Sequence, residues 1–220
     1  MANVFGPPPP NVILHNVSWK TYECLLKDFE NRSAPRFTYD QGALQIMSPL
    51  PEHEHRNRVL ASLIEEIADE WGWDFANLGS TTFRSEASRR GFEPDSCFYF
   101  GENAVRIRSI GREFDQARDP APDLVIEIDI TSPSLPRFPL YAQMGVPEVW
   151  RDDSAAVELF GTTSEQEYVL LDESRALPGL TGNVLTRFVQ DGLTRARPEW
   201  LRTVRAWART AQTGSHHEPA

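Results

Sequence analysis

Apolar and acidic residues alternate between Asp123 and Thr131, and this period of two predicts a β-strand. The apolar face of the strand carries Leu124, Ile126, Ile128 and Ile130. The other face carries Asp123, Val125, Glu127 and Asp129. The β-branched residues favour an interior position in a sheet, where neighbouring like charges repel by about 1 kcal/mol per pair or more. We therefore expect a cation beside these carboxylates, and a divalent metal ion is the simplest candidate.

The residues after this strand predict a short helix and a second buried strand. Pro133, Pro136 and Pro139 delay the helix, which starts near Pro139 and ends before Gly145. The segment from Val146 to Arg151 is typical of a buried strand. The order of strand, short helix and strand places the acidic strand in the middle of a sheet.

The longest predicted helix runs from about Glu52 to Trp71. Its apolar stripe consists of Val59, Leu60, Leu63, Ile64, Ile67, Ala68 and Trp71. Continued towards the N-terminus, the same stripe reaches Glu52, His53 and Arg56. The first turn is therefore expected to direct polar, titratable side chains towards the end of the core.

Short helices and hairpins are predicted around these elements. Ser18 is suited to cap a helix that ends near Glu30. Asp40-Gln41-Gly42 predicts a tight turn between the strands Arg36–Tyr39 and Ala43–Met47.

The middle of the chain predicts strand pieces at residues 77–91, one strand from Phe92 to Phe100, and a long loop with at most a short helix at residues 101–122. Pro94 puts Asp95 at the start of that strand or at a bend. The C-terminal part predicts a hairpin and two helices, at Ala156–Phe160 with Glu167–Leu171, Thr181–Gln190 and Glu199–Ala211.

The chain has 220 residues, of which 40% are hydrophobic, and this suffices for one core. We expect a single domain at residues 12–211, preceded by a flexible proline-rich arm at 1–11 and followed by a disordered tail at 212–220. No apolar run could span a membrane and no signal peptide is recognisable, so a cytoplasmic location is predicted. Cys24 and Cys97 fit neither a zinc nor a disulfide pattern and are expected to be buried free thiols.

The net charge of −10 argues against a protein that coats nucleic acid electrostatically. Local contact with phosphate is still compatible with the clusters of arginine, because the guanidinium fork matches phosphate oxygens. Surface ion pairs with the abundant Asp and Glu are the alternative explanation. The arginine clusters are at 84, 89 and 90, at 106, 108, 112 and 118, and at 187, 195, 197, 202, 205 and 209.

Four carboxylates are predicted to converge: Glu52 at the helix start, Asp95 at one strand, and Glu127 and Asp129 on the next. Mg²⁺, or Mn²⁺ in its place, is bound by one or two such carboxylates together with water and substrate phosphate. An ion held in this way assists displacement at phosphorus. Each acid also has a plainer interpretation, since Glu52 would stabilise the positive end of a helix and Asp129 would pair with Arg137.

Three segments, taken in order, resemble the Uma-two family of endonucleases in the PD-(D/E)XK superfamily: YDQGALQIMSPLPEHEHR, FEPDSCFYF and PDLVIEIDITSPSLPRFPLYAQMGVPEVW. The resemblance covers roughly Ser18 to Val189. It implies an α/β, restriction-endonuclease-like core with a central mixed sheet flanked by helices, to which the C-terminal hairpin and helices are additions. It also implies a Mg²⁺-dependent endonuclease that hydrolyses DNA phosphodiester bonds. By this resemblance Glu52 is the helix glutamate, and Asp95 and Glu127 are the metal ligands.

One position departs from the superfamily pattern, because Asp129 stands where the superfamily has lysine. Members similar to this chain carry the basic residue in the following helix, four residues before a tyrosine. Arg137 holds that position before Tyr141 and is expected to contact the scissile phosphate. Arginine stays protonated and cannot act as a general base, so water activation would fall to Asp129, Glu52 or His53.

The missing lysine and the acidic net charge leave a second interpretation open. The chain would then be a catalytically degenerate module that keeps the nuclease fold and binds nucleic acid or a protein partner. A homodimer assembled through the hairpin between Asp152 and Leu171 is compatible with either interpretation.

Overall fold

The computed structural model describes residues 11–30, 32, 34–110, 114, 118–130 and 135–214. The predicted N-terminal arm up to residue 10 and the tail from residue 215 lie outside the described residues. So do residues 131–134, which contain the first of the three prolines after the acidic strand.

The described part of the chain forms eleven strands in two sheets, together with six helices. In chain order the strands are β1 (Asn11–Leu14), β2 (Arg36–Asp40), β3 (Ala43–Met47), β4 (Phe75–Asn77), β5 (Phe83–Ser85), β6 (Arg90–Phe92), β7 (Ser96–Phe100), β8 (Leu124–Ile128), β9 (Glu148–Asp152), β10 (Val157–Thr162) and β11 (Tyr168–Leu170). The helices are α1 (Trp19–Phe29), α2 (Pro51–Trp71), α3 (Gly101–Arg108), α4 (Phe138–Met144), α5 (Gly182–Thr194) and α6 (Arg197–Gly214).

The larger sheet contains six strands in the order β11-β10-β9-β8-β7-β4. β8 and β9 pair in parallel, and the other neighbours pair antiparallel. α4 connects the two parallel strands, because such strands cannot be joined by a tight turn. The acidic strand β8 lies inside this mixed sheet, which confirms the predicted α/β architecture and the interior position of the strand.

The smaller sheet contains five antiparallel strands in the order β1-β3-β2-β6-β5. Gly42 has a φ of 106° in the turn between β2 and β3, a conformation that glycine adopts without steric cost. α1 packs against this sheet, and the Ser18 hydroxyl accepts a hydrogen bond from the Thr21 backbone N–H at 3.1 Å. The predicted hairpin and helix cap are therefore confirmed.

Both faces of the larger sheet are buried. On one face Ile126 and Trp150 pack under the apolar stripe of α2 and under α5 and α6. On the opposite face Val125 and Val149 pack with residues of α3 and α4. Because successive strand residues point to opposite faces, Glu127 lies on the same face as Val125.

One prediction about residues 92–110 was wrong. The expected single strand from Phe92 to Phe100 is divided, because β6 and β7 belong to different sheets and Pro94 lies between them. The short helix that the prediction for residues 101–122 allowed for is α3, whose buried face consists of Ala104 and Ile107. Two apolar residues among charged neighbours are too short a stripe to give its bounds from the sequence.

The ends of the chain and one cysteine also differ from expectation. Asn11 begins β1 and does not belong to an arm, and α6 continues through Gly214, past the predicted end at Ala211. Cys97 is a buried free thiol as predicted, and burial raises its pKa to about 12, whereas Cys24 is exposed. None of the described helices is long and apolar enough to span a bilayer.

Candidate active site

A cavity of about 230 Å³ lies where the C-terminal end of β8 meets β3 and the first turn of α2. Its polar lining consists of Asn11, Gln45, His53, Glu127, Asp129, Arg137 and Arg151. Three of the predicted site residues, Glu127, Asp129 and Arg137, therefore face one cavity.

Glu127 lies at the base of this cavity and is only 6% exposed. Its Oε1 accepts a hydrogen bond from the Tyr141 hydroxyl, and its Oε2 accepts one from Arg137. Burial raises the pKa of the Glu127 carboxyl to about 8, Arg137 opposes this shift, and Asp95 adds to it. Burial therefore disfavours the charged form of this carboxyl more than the neighbouring Arg137 favours it.

Asp95 lies beside Glu127 because of the strand register. Ser96 pairs with Ile126 in the antiparallel ladder, so the preceding residue, Asp95, lies across from Glu127. The Asp95 carboxylate is buried, and its Oδ2 accepts a hydrogen bond from the Ile128 backbone N–H at 2.7 Å. Two of the four acids that were expected to converge are thus fixed next to each other on neighbouring strands.

Arginine side chains neutralise both acids. Arg36, which is buried at the start of β2, donates to Asp95 Oδ1, and Arg137 forms an ion pair with Glu127. Burial favours the neutral form of Arg137, but Glu127 and Asp95 outweigh that effect, and the pKa of Arg137 is raised. Its guanidinium therefore keeps its positive charge.

The first two turns of α2 contact this acidic pair through side chains. His53 is buried, with its Nε2 3.4 Å from Asp95 Oδ2, and Asn57 Nδ2 donates to the Asp95 carbonyl at 3.0 Å. Three residues after His53, Arg56 Nη1 donates to both carboxylate oxygens of Asp152, at 3.1 and 2.9 Å. The predicted inward direction of His53 and Arg56 is confirmed.

Glu52 takes a different position from the one expected for a site residue. Its side chain is 68% exposed, lies 3.7 Å from Arg56 Nε, and does not line the cavity. Glu54 of the same helix is linked to the acidic pair through Arg36, because its Oε2 lies 3.4 Å from Arg36 Nη2 and Arg36 Nη1 donates to Asp95. A catalytic role for Glu52 stays a prediction that this geometry does not favour.

Asp129 lies just beyond the end of β8. Its side chain is exposed and lines the cavity, and its backbone N–H donates to the Asp152 carbonyl at 2.8 Å. Asp129 also helps to raise the pKa of Arg137. Both interpretations of Asp129, as a partner of Arg137 and as a residue near a metal, therefore remain open.

Sequence reasoning did not identify Arg36 and Arg151 as residues of this site. Each lies at an end of a predicted strand, but the sequence does not show which strand end faces the acids. The parallel register pairs Glu127 with Arg151, and Arg36 reaches Asp95 from the other sheet. The place of Tyr141 beside Glu127 could have been predicted, because Tyr141 follows Arg137 by four residues, about one helical turn.

The fold and the site together define an α/β protein with a restriction-endonuclease-like arrangement. A mixed sheet is covered by helices, and two buried acids lie on adjacent strands beside the start of the long helix.

The chain belongs to the Uma2 family, described as "Putative restriction endonuclease", which matches residues 19–194. It is thus a member of a nuclease family. In structure it is similar to "a putative nuclease belonging to DUF820 from Anabaena variabilis ATCC 29413", with 17% sequence identity and a TM-score of 0.47. That match covers 74% of this chain and 98% of the other. No curated protein matches the chain in sequence.

Proposed function

We propose that this protein is a Mg²⁺- or Mn²⁺-dependent endonuclease that hydrolyses DNA phosphodiester bonds. The observation that carries the proposal is the pair of buried carboxylates, Asp95 and Glu127, held side by side, of which Glu127 lines the cavity together with Arg137. Family membership supports hydrolysis of nucleic acid. The choice of DNA and of the metal rests on the resemblance and on the chemistry of these side chains.

The donor set fits a hard divalent ion. Mg²⁺ commonly uses one or two protein carboxylates and completes its shell with water and substrate phosphate. Within the described residues no cluster of three or more His, Cys, Asp or Glu is suited to a metal. By the resemblance, Asp95 and Glu127 would be the protein ligands. The raised pKa of Glu127 and its repulsion by Asp95 are what a divalent charge would relieve. Both carboxylates already hold an arginine, so the ion would compete with these guanidinium groups.

When bound, the ion would lower the pKa of a water molecule and neutralise charge on the phosphoryl group. The protein residues supply the other functions. Arg137 contacts the scissile phosphate through its protonated guanidinium and cannot accept a proton. A proton on His53 Nε2, the nitrogen that faces Asp95, leaves Nδ1 as the proton acceptor. Asp129, which lines the same cavity, is the other candidate base.

One observation favours a second function. Arg36 and Arg137 already neutralise the two acids, and among the described residues no lysine lines this cavity. A catalytically degenerate module that binds nucleic acid or a protein partner would keep such a balanced site without needing a metal.

Titration calorimetry with Mg²⁺ or Mn²⁺, combined with cleavage of duplex DNA, separates the two functions. We expect ion-binding heat and cleavage in the wild type and neither in Asp95→Ala or Glu127→Ala. Glu165→Ala, a change at an exposed turn outside the cavity, is the matched control and should behave like the wild type. Absence of binding heat at millimolar concentrations of the ion would favour the binding module. Cleavage by both site variants at the wild-type rate would contradict the nuclease proposal. Circular dichroism checks that each variant is folded.

A further inference from the structure

Three side-chain nitrogens at the cavity have no hydrogen-bond partner among the residues that the structure describes. They are His53 Nδ1, Arg137 Nε and Arg151 Nε. An unpaired buried donor costs free energy, and two of these three groups are guanidinium donors that suit a phosphate oxygen. His53 and Arg137 already have roles in the proposed reaction, whereas Arg151 has none.

The sheet places Arg151 in line with the two acids. Glu127 pairs with Arg151 in the parallel ladder, and Asp95 lies across from Glu127 on the other side. Neighbouring strands are roughly 5 Å apart, and residues paired in register point to the same face. One row across three strands therefore presents acid, acid and arginine, with Arg151 at the end away from Asp95.

The Arg151 side chain is oriented by its other neighbours. Its Nη2 donates to Glu158 Oε2 at 2.6 Å, and its Cζ lies 5.1 Å from the centre of the Phe160 ring. About a third of the side chain is exposed. An ion pair of this exposure contributes little to stability, so the arrangement orients the guanidinium more than it strengthens the fold.

We propose that Arg151 is a substrate-positioning residue that contacts a backbone phosphate adjacent to the scissile one. This inference rests on the proposed function and extends it to a second phosphate of the same nucleic acid. Arg137 lies beside Glu127 and serves the scissile phosphate, while Arg151 holds the neighbouring phosphate from the next strand. Because Arg151 contacts the phosphate backbone of the nucleic acid and not a base, it adds affinity without sequence preference.

The test compares Arg151→Met and Arg151→Lys with the wild type. Methionine keeps an apolar stem against Phe160 and removes the charge, and lysine keeps the charge. Arg202→Met removes an exposed arginine of α6 outside the cavity and is the matched control. Binding of a fluorescent duplex oligonucleotide is followed by anisotropy over a series of salt concentrations without divalent ion, and steady-state cleavage is measured with Mg²⁺.

For Arg151→Met we expect KM to rise about tenfold with kcat nearly unchanged, because the lost contact binds ground state and transition state alike. The slope of log Kd against log salt concentration should decrease by about one, the value for one phosphate contact. Arg151→Lys should restore most of that slope, and Arg202→Met should change neither quantity. A purely structural role would lower the melting temperature without changing the salt slope.

The outcomes distinguish this inference from the proposed function. A wild type that cleaves DNA, with an unchanged KM and salt slope in folded Arg151→Met, overturns the role of Arg151 alone. A wild type that neither binds nor cleaves DNA overturns both. If Arg151→Met does not fold, Arg151→Gln decides the question, because it also removes the charge. The rise in KM and the lower salt slope expected for Arg151→Met would then support the role of Arg151, and wild-type values would overturn it.

Discussion

The contribution of the buried Glu148 carboxylate to the stability of the fold can be predicted quantitatively. It begins β9 and is 1% exposed, and its carboxylate accepts four hydrogen bonds. Oε1 accepts from Trp150 Nε1 and from the Ser174 hydroxyl, each at 2.6 Å. Oε2 accepts from the backbone N–H groups of Arg175 and Ala176, at 2.7 and 3.0 Å. The side chain therefore fixes the segment 174–176 against the sheet.

Glu148→Gln preserves the shape of this side chain and replaces one acceptor oxygen by an amide donor. The least costly orientation keeps the carbonyl towards the two backbone N–H groups and turns the amide towards Trp150 and Ser174. The Ser174 hydroxyl can then accept, but the buried indole N–H of Trp150 is left without a partner. One orphaned donor and the loss of charge-assisted bonds cost about 3 kcal/mol together. For a chain of this length that corresponds to a fall in Tm of roughly 6 to 12 °C.

Thermal and urea unfolding followed by circular dichroism measure this difference. Glu167→Gln, an exposed change in the turn before β11, is the control and should stay near the wild-type Tm. Hydrogen exchange at the N–H groups of Arg175 and Ala176 should also become faster in Glu148→Gln. A Tm within 2 °C of the control would refute the reasoning, because relief from burying a charge would then offset the lost hydrogen bonds.

Three further predictions concern pH, packing and assembly. Burial raises the pKa of Glu93, so the wild type should lose stability relative to Glu93→Gln as pH rises above about 4.3, the value for an unfolded glutamate. Glutamine at this position can keep the hydrogen bonds to Phe37 and Thr82. If the urea-unfolding midpoints of the wild type and of Glu93→Gln change in parallel with pH, the predicted pH dependence is wrong. Gly91→Ala should destabilise the fold by about 1 to 3 kcal/mol in urea unfolding. The added Cβ would overlap the hydroxyl of the buried Tyr22 and lie 2.8 Å from the Cζ of that ring. Wild-type stability of this variant would exclude the clash. If the hairpin forms a dimer, the wild type should be dimeric and Leu170→Lys monomeric by light scattering, since Leu170 is 62% exposed on the edge strand β11; a wild-type monomer contradicts this.

Local periodicity predicted most of the fold. The alternation around Glu127 and the stripe of α2 gave the correct element types because both elements bury long, regular faces. The bounds of α3 were not predicted, because it buries only Ala104 and Ile107. β1 was missed because its strand character depends on pairing with β3, far along the chain. Short elements whose partners are distant carry too little local signal.

The site was predictable in part for a similar reason. Asp95 and Glu127 could be placed together because the acidic strand and the preceding strand were expected to be neighbours. Glu52 was expected to point inward with His53, but successive residues of a helix are rotated by about 100°. His53 therefore reaches the acidic pair while Glu52 is exposed. An error of one position on a helix exchanges a site residue for a surface residue.

The distribution of charge reconciles an acidic chain with the proposed phosphate-binding site. The net charge of −10 is an average over the whole chain, whereas three arginines, Arg36, Arg137 and Arg151, surround Asp95 and Glu127. These arginines come from β2, from the segment before α4 and from β9, so only the pairing of strands brings them together. Asp and Glu outnumber Lys and Arg by 32 to 22, so the surface outside this cavity would bind nucleic acid weakly. Under the proposed function, this acidic surface would favour contact with the phosphate backbone at the arginines beside Asp95 and Glu127.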